Sequence, residues 1–92
     1  MAEVICEQVS KGLRDSEVIA SVRDVYGRRH FIRVEYDFLI AENGTHYLPI
    51  GIVHIDPRSK AVLIELPHEA ETGANRIWVR ESAFHLPLEA SA

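Results

Sequence analysis

The sequence predicts a mainly β domain: a small, strongly bent antiparallel sheet or barrel-like meander, with at most one short N-terminal helix. Three observations carry this. Val and Ile together number eighteen against seven Leu, and branching at Cβ stiffens χ1 in a way that suits a pleated sheet better than a helix. Residues 30–41 alternate with a period close to two. Asn43-Gly44 follows at once, a strong hairpin signal because a type I′ turn needs positive φ at both central residues.

Residues 3–13 are the one candidate helix. Val4, Ile5, Val9 and Leu13 fall roughly on one side of a 3.6-residue wheel, Glu3 and Glu7 sit early, Lys11 sits late, and Gly12 could close it. Val4-Ile5-Cys6 would serve equally as a short strand. Asp15-Ser16 marks a turn, after which Glu17 to Tyr26 alternates with Val18, Ala20 and Val22 on one face. Tyr26-Gly27-Arg28 marks the next turn.

In the central stretch the even positions read His30, Ile32, Val34, Tyr36, Phe38 and Ile40. With Glu42 facing Thr45 across the hairpin, Ile40 meets Tyr47, Val34 meets Val53 and Ile32 meets Ile55. Asp56-Pro57-Arg58-Ser59-Lys60 is a second turn. With Asp56 facing Ala61, Ile55 meets Val62, Val53 meets Ile64 and Gly51 meets Leu66. The expected product is a three-stranded meander whose inner face includes Ile32 to Ile40 at even positions, Tyr47, Val53, Ile55, Val62, Ile64 and Leu66. Pro49 and Gly51 must bend the middle strand, as a sheet curling into a barrel requires. Residues 67–75 are breaker-rich and read as a loop. Arg76 to Arg80 reads as a last strand with Ile77 and Val79 inward and Trp78 outward or against a rim. Glu81-Ser82-Ala83-Phe84 suits one helical turn, and Pro87 with Ala90-Ser91-Ala92 a frayed tail.

Ninety-two residues make one domain, 1–92, with ordinary apolar content (47%) and no stretch long enough to span a membrane. Cys6 is the only cysteine, so no internal disulfide forms, and no basic neighbour nearer than Lys11 activates the thiol. With no signal peptide-like start, the cytoplasm is the expected compartment. Net charge is −4, which disfavours nucleic acid and anionic membranes. The charge is uneven: residues 23–33 carry a net +3, while residues 34–56 hold Glu35, Asp37, Glu42 and Asp56 with no Lys or Arg.

No motif for catalysis is present: no G-x-S-x-G elbow, no P-loop, no G-x-G-x-x-G. Glu35 and Asp37 share a strand face, as acids on a solvated face do. His46 and His54 lie too far apart along one strand for a single metal, and His68-Glu69-x-Glu71 lacks the second histidine of a zincin. The reading is therefore of no enzyme, no cofactor and no metal. The expected alignment also sets Arg33 beside His54, which would keep that imidazole neutral.

Leu39, Leu48, Ile50, Ile52 and Leu63 fall on the opposite, expectedly solvated face of the same meander. Apolar residues on both faces require a cover: the N-terminal segment, the last strand or another copy of the chain. Leu39, Leu48 and Ile50, near the hairpin tip, are the candidate interaction residues. Arg23, Tyr26, Arg28, Arg29, Phe31 and Arg33 are the candidate nucleic-acid contacts, because basic groups interleaved with aromatics are what stacking sites use; the competing reading is a solvated corner with Arg28 and Arg29 at an exposed turn.

Ile50-Gly51-Ile52-Val53-His54-Ile55-Asp56-Pro57, then Ala61-Val62-Leu63-Ile64-Glu65-Leu66, then Ile77-Trp78-Val79 resemble the small PRC-barrel type over residues 50–84. That family usually has a D-x-x-G turn a few residues before I-G, whereas Asp24-Val25-Tyr26-Gly27 lies more than twenty residues upstream. The resemblance implies an assembly or RNA-processing adaptor and carries over no functional residue. The sequence thus points to a non-enzymatic protein-interaction or assembly module, partnered by another protein or by itself as a homodimer. The alternative is an RNA- or nucleic-acid-binding adaptor using residues 23–33.

Overall fold

Ten short strands, joined by turns and one longer loop at residues 66–75, make up the computed structural model, which describes residues 2–85. In order these are β1 (Glu3–Ile5), β2 (Gln8–Lys11), β3 (Glu17–Arg23), β4 (Arg29–Glu35), a 3₁₀ turn at Tyr36–Phe38, β5 (Ile40–Glu42), β6 (Thr45–Pro49), β7 (Gly51–Ile55), β8 (Val62–Glu65), β9 (Arg76–Val79), a 3₁₀ turn at Glu81–Ala83 and β10 (Phe84–His85). They form three antiparallel sheets, β10-β1-β6-β5, β2-β3-β4 and β7-β8-β9, and the described strands close no barrel. The predicted mainly β class holds. The tail expected from Pro87 onward lies outside the described residues.

The helix expected over residues 3–13 is replaced by β1 and β2. The chain crosses between two sheets at Cys6 and Glu7: Cys6 N–H donates to His46 O and Glu7 N–H to Ser21 O. Val4, Ile5 and Val9 are β-branched, and three sheet partners (β6, β10 and β3) satisfy more backbone than an isolated three-turn helix could. Leu13, which a helix would have turned inward, stays exposed.

The local hairpin signals hold close to their turns. Glu42 pairs with Thr45, Ala41 with His46 and Ile40 with Tyr47, with φ of 52° at Asn43 and 81° at Gly44 as a type I′ turn requires. Ile55 pairs with Val62 across the Asp56–Lys60 turn. Further out the expected registers fail. Val34 pairs with Val18 and Ile32 with Ala20, not with Val53 and Ile55. A bulge between Ile52 and His54 slips the next hairpin, so Ile64 faces Ile52 and Gly51 faces Glu65; Val53 does not meet Ile64, nor Gly51 Leu66.

The cause is the Tyr36–Phe38 turn. β4 ends where its partner begins, at Glu17 opposite Glu35, and beyond that point no ladder partner exists. Tyr36 N–H donates to Ser16 O at 2.7 Å, Leu39 N–H to Tyr36 O at 3.2 Å, and the chain re-emerges with its parity reversed. Ile32 and Val34 point into the core, but Tyr36, Phe38 and Ile40 are exposed and Leu39 is buried. One core then draws on all three sheets: Val4 and Leu48 from the first, Val22 and Ile32 from the second, Ile64 and Val79 from the third. Ile77 and Val79 are inward as expected and Trp78 is half-buried. Among the described residues no helix is long and apolar enough to cross a membrane.

Gly12 marks a close approach: its N–H donates to Glu17 O at 2.9 Å, and a Cβ would stand 2.8 Å from that oxygen. Gly12→Ala should lower stability by about 1–3 kcal/mol through forced backbone displacement. Gly44→Ala, in open space but at positive φ, should lose about 1–2 kcal/mol. Urea unfolding followed by the fluorescence of Trp78 measures both.

Candidate functional site

The parity reversal exchanges the two faces read from the sequence between Tyr36 and Ile50, while Ile32, Val34, Val62, Ile64 and Leu66 stay inward as expected. Leu39 (8% exposed), Leu48 (0%) and Ile50 (7%) are core residues, so the interaction surface expected of them is corrected. β1 supplies their cover by pairing with β6, which sets Val4 beside Leu48. Besides Ile5, Leu13, Tyr26 and Tyr36, the large apolar groups left outside are Phe38, Ile40, Ile52, Val53 and Ile55.

These outward groups gather around one strand. β7 is a terminal strand of its sheet, all five of its residues are exposed, and none carries a fixed charge. A terminal strand leaves a row of N–H and C=O groups without partners. Asp56 N–H donates to Ala61 O, so alternation turns the backbone polar groups of Ile55 away from β8. Beside β7 runs an open groove of about 760 Å³ lined by Phe38, Ile40, Ile50, Ile52, Val53 and Leu66, with Asp37 and Glu65 on it. Ile40 belongs to β5, a terminal strand of the four-stranded sheet, so residues of two edge strands line the groove. Glu65 is engaged by Arg76 at 3.2 Å, whereas Asp37 has no ion-pair partner among the described residues.

The candidate nucleic-acid residues are brought near one another but largely neutralised. Arg23 makes a two-pronged contact with Glu7, at 2.7 and 2.8 Å, and Arg29 reaches the same carboxylate at 3.0 Å. The Arg23 hydrogen bond holds the Glu7 carboxyl below its ordinary value, and the Arg23 guanidinium is raised in return. Arg33 meets Glu17 at 3.5 Å. Arg28 is exposed at the turn after Gly27, Tyr26 is 83% exposed at its tip, and Phe31 is half-buried. Arg33 lies on β4 and His54 on β7, in different sheets, so the expected juxtaposition of the two does not occur. His54 instead meets Trp78 edge-on with ring centres 6.1 Å apart.

No sequence pattern foretold the chain Asp24–His30–Thr72, which runs from a buried acid and imidazole to an exposed hydroxyl. His30 Nε2 lies 2.8 Å from Asp24 Oδ2 and Nδ1 lies 2.7 Å from Thr72 Oγ1. Asp24 Oδ1 accepts the N–H groups of Tyr26 and Arg28, each at 2.9 Å. Burial alone would raise the Asp24 carboxyl; the His30 hydrogen bond and the two backbone donors outweigh it and hold the group below its ordinary value. With Asp24 ionised, Nε2–H donates to the carboxylate, and Nδ1 on the far side of the ring faces the Thr72 hydroxyl. The order acid–imidazole–hydroxyl is that of a nucleophile relay, but an acyl-transfer site also needs donors for an oxyanion. The backbone N–H groups flanking Thr72, on Glu71 and Gly73, are already given to Phe31 O and Ala70 O. The chain of hydrogen bonds serves to fasten loop 67–75 over the β3–β4 turn.

Comparison with protein-family models, with curated proteins and with solved structures finds no match.

A second pair joins β1 to β10: Glu3 Oε1, buried, lies 2.7 Å from His85 Nδ1, and Tyr47 stacks on the His85 ring at 4.5 Å. Glu3 Oε2 is buried without a partner among the described residues. Cys6 is buried, and burial pushes its thiol up to about 12. Glu35 accepts a hydrogen bond from Ser16 and stands with Asp37 on the surface. Among the described residues no group of three or more His, Cys, Asp or Glu is placed to hold a metal ion.

A carboxyl held low in the folded state contributes stability above its unfolded value, near pH 4, and that contribution is lost as pH falls through the folded value. Asp24→Asn should therefore cost about 1–3 kcal/mol at neutral pH, and the gap from the native protein should narrow in acid. Denaturant melts across the acid range test this; a gap independent of pH would contradict it.

Proposed function

We propose that this chain is a non-enzymatic, cytoplasmic interaction module that docks a protein strand along β7. The observation supporting this is the state of β7: a terminal strand, exposed at every residue and free of fixed charge. Natural edge strands are commonly protected by Lys, Pro, a covering loop or a bulge; β7 has only the bulge at Val53. Main-chain hydrogen bonds along such an edge supply affinity, and the adjoining apolar groove supplies side-chain selectivity. The resemblance of residues 50–84 to the PRC-barrel type implies assembly as well. The nucleic-acid reading draws less support, because Glu7 and Glu17 occupy three of its four arginines.

The test is selection from a displayed library of random peptides. Extended, β-branched sequences should emerge on the native chain, and Ile55→Lys should weaken their binding at least about tenfold by placing a charge on the edge. A mixed RNA pool titrated with salt serves as the opposing arm. Tight RNA binding with a steep log–log salt slope, abolished by Arg28→Glu, would replace the present reading.

A further inference from the structure

We propose that the strand docked on β7 is β7 of a second copy, paired antiparallel about a twofold axis. This rests on the reading of β7 as a docking edge. The result is one continuous sheet in the order β9-β8-β7-β7-β8-β9 across two protomers.

The first argument is self-complementarity. Gly51-Ile52-Val53-His54-Ile55 has no Asp, Glu, Lys or Arg, so turning it on itself sets no like fixed charges across the ladder, where they would repel. Each copy also contributes the apolar groups that the other's groove lacks a cover for.

The second argument is charge. An antiparallel twofold pairing brings whatever follows β7 in one protomer beside whatever lies at the start of β7 in its partner. At the start lie Asp37 and Glu65, on the groove that reaches Ile50 and Gly51. After β7 comes the turn Asp56–Lys60. The Asp56 carboxylate is turned back into that turn, accepting the Ser59 hydroxyl at 2.6 Å and the Arg58 N–H at 3.3 Å. The outward charges of the turn are therefore Arg58 and Lys60, both exposed. Neither forms an ion pair among the described residues, and neither does Asp37. Cations without partners thus approach an acidic groove end without a free cation, and symmetry repeats the contact. Residues 34–56 hold no Lys or Arg, so the groove favours an uncharged extended strand followed by basic residues. The chain's own residues 51–60 have that composition.

The experiment is sedimentation of the full chain over a range of concentrations, with circular dichroism as the control for folding. The native protein should dimerise, and Ile55→Lys should be a folded monomer. Asp37→Arg and Arg58→Asp should each weaken dimerisation about tenfold, since two exposed contacts per dimer become repulsive. The combined variant should recover to within about threefold of native, which loss of folding could not produce. A native protein that stays monomeric while display-selected peptides still bind along β7 would overturn the second copy as occupant and leave the docking reading standing. A monomer that binds no peptide would overturn both. A dimer unaffected by Ile55→Lys, or singles whose defects the combined variant does not relieve, would place the interface elsewhere and overturn the pairing.

Discussion

A strand alternates its side chains between two faces, so a short turn that breaks the alternation hands the core to the other set. The Tyr36–Phe38 turn does this at the middle of the chain. It forms where β4 runs out of partner, and it is pinned by Tyr36 N–H to Ser16 O. Leu39 then swings under the sheet to join Leu48 and Ile50 in the core. β6 is free to pair with β1 on one side and β5 on the other, and β7 is left bordering solvent. The exposure of Phe38 and Ile40 follows from this change of direction, and the bulge at Val53 together with the free edge of β7 adds Ile52, Val53 and Ile55.

The parts of this fold that were legible in the sequence are the local ones. Asn43-Gly44 sets its own backbone dihedrals and so sets three cross-strand pairs. The Asp56 turn does the same for Ile55 and Val62. The strand at Arg76–Val79 and the turn after it need only alternation and composition. What escaped reading was choice between distant partners. A hairpin apolar on both faces looks the same whichever face is inward, so parity alone could not place Leu39 or Leu48. The bulge at Val53 adds one residue without any Gly at the slip, and nothing in its composition announces it. Val4-Ile5-Cys6 fits a helix or a strand until β6 is known to lie beside it.

The buried polar groups were invisible for the same reason. His30 sits at an inward position of an alternating strand, and its inward placement could be read. Its partners could not, because Thr72 is forty-two positions away and reaches the ring only once loop 67–75 has folded back. That fastening matters to the core as well. Glu71 N–H reaches Phe31 O, and Ala70 is buried among the aliphatic side chains. A polar latch on the outside thus holds an apolar plug on the inside.

Cys6 occupies the crossing between two sheets, where its N–H reaches β6 and the next residue's N–H reaches β3. Burial pushes its thiol up to about 12, so the reactive thiolate is scarce at neutral pH. The sulfur is therefore chemically silent while the first and second sheets remain joined. An alkylating reagent can modify it at an ordinary rate only after that junction parts, so the rate of alkylation is a natural clock for the opening of the fold at its seam.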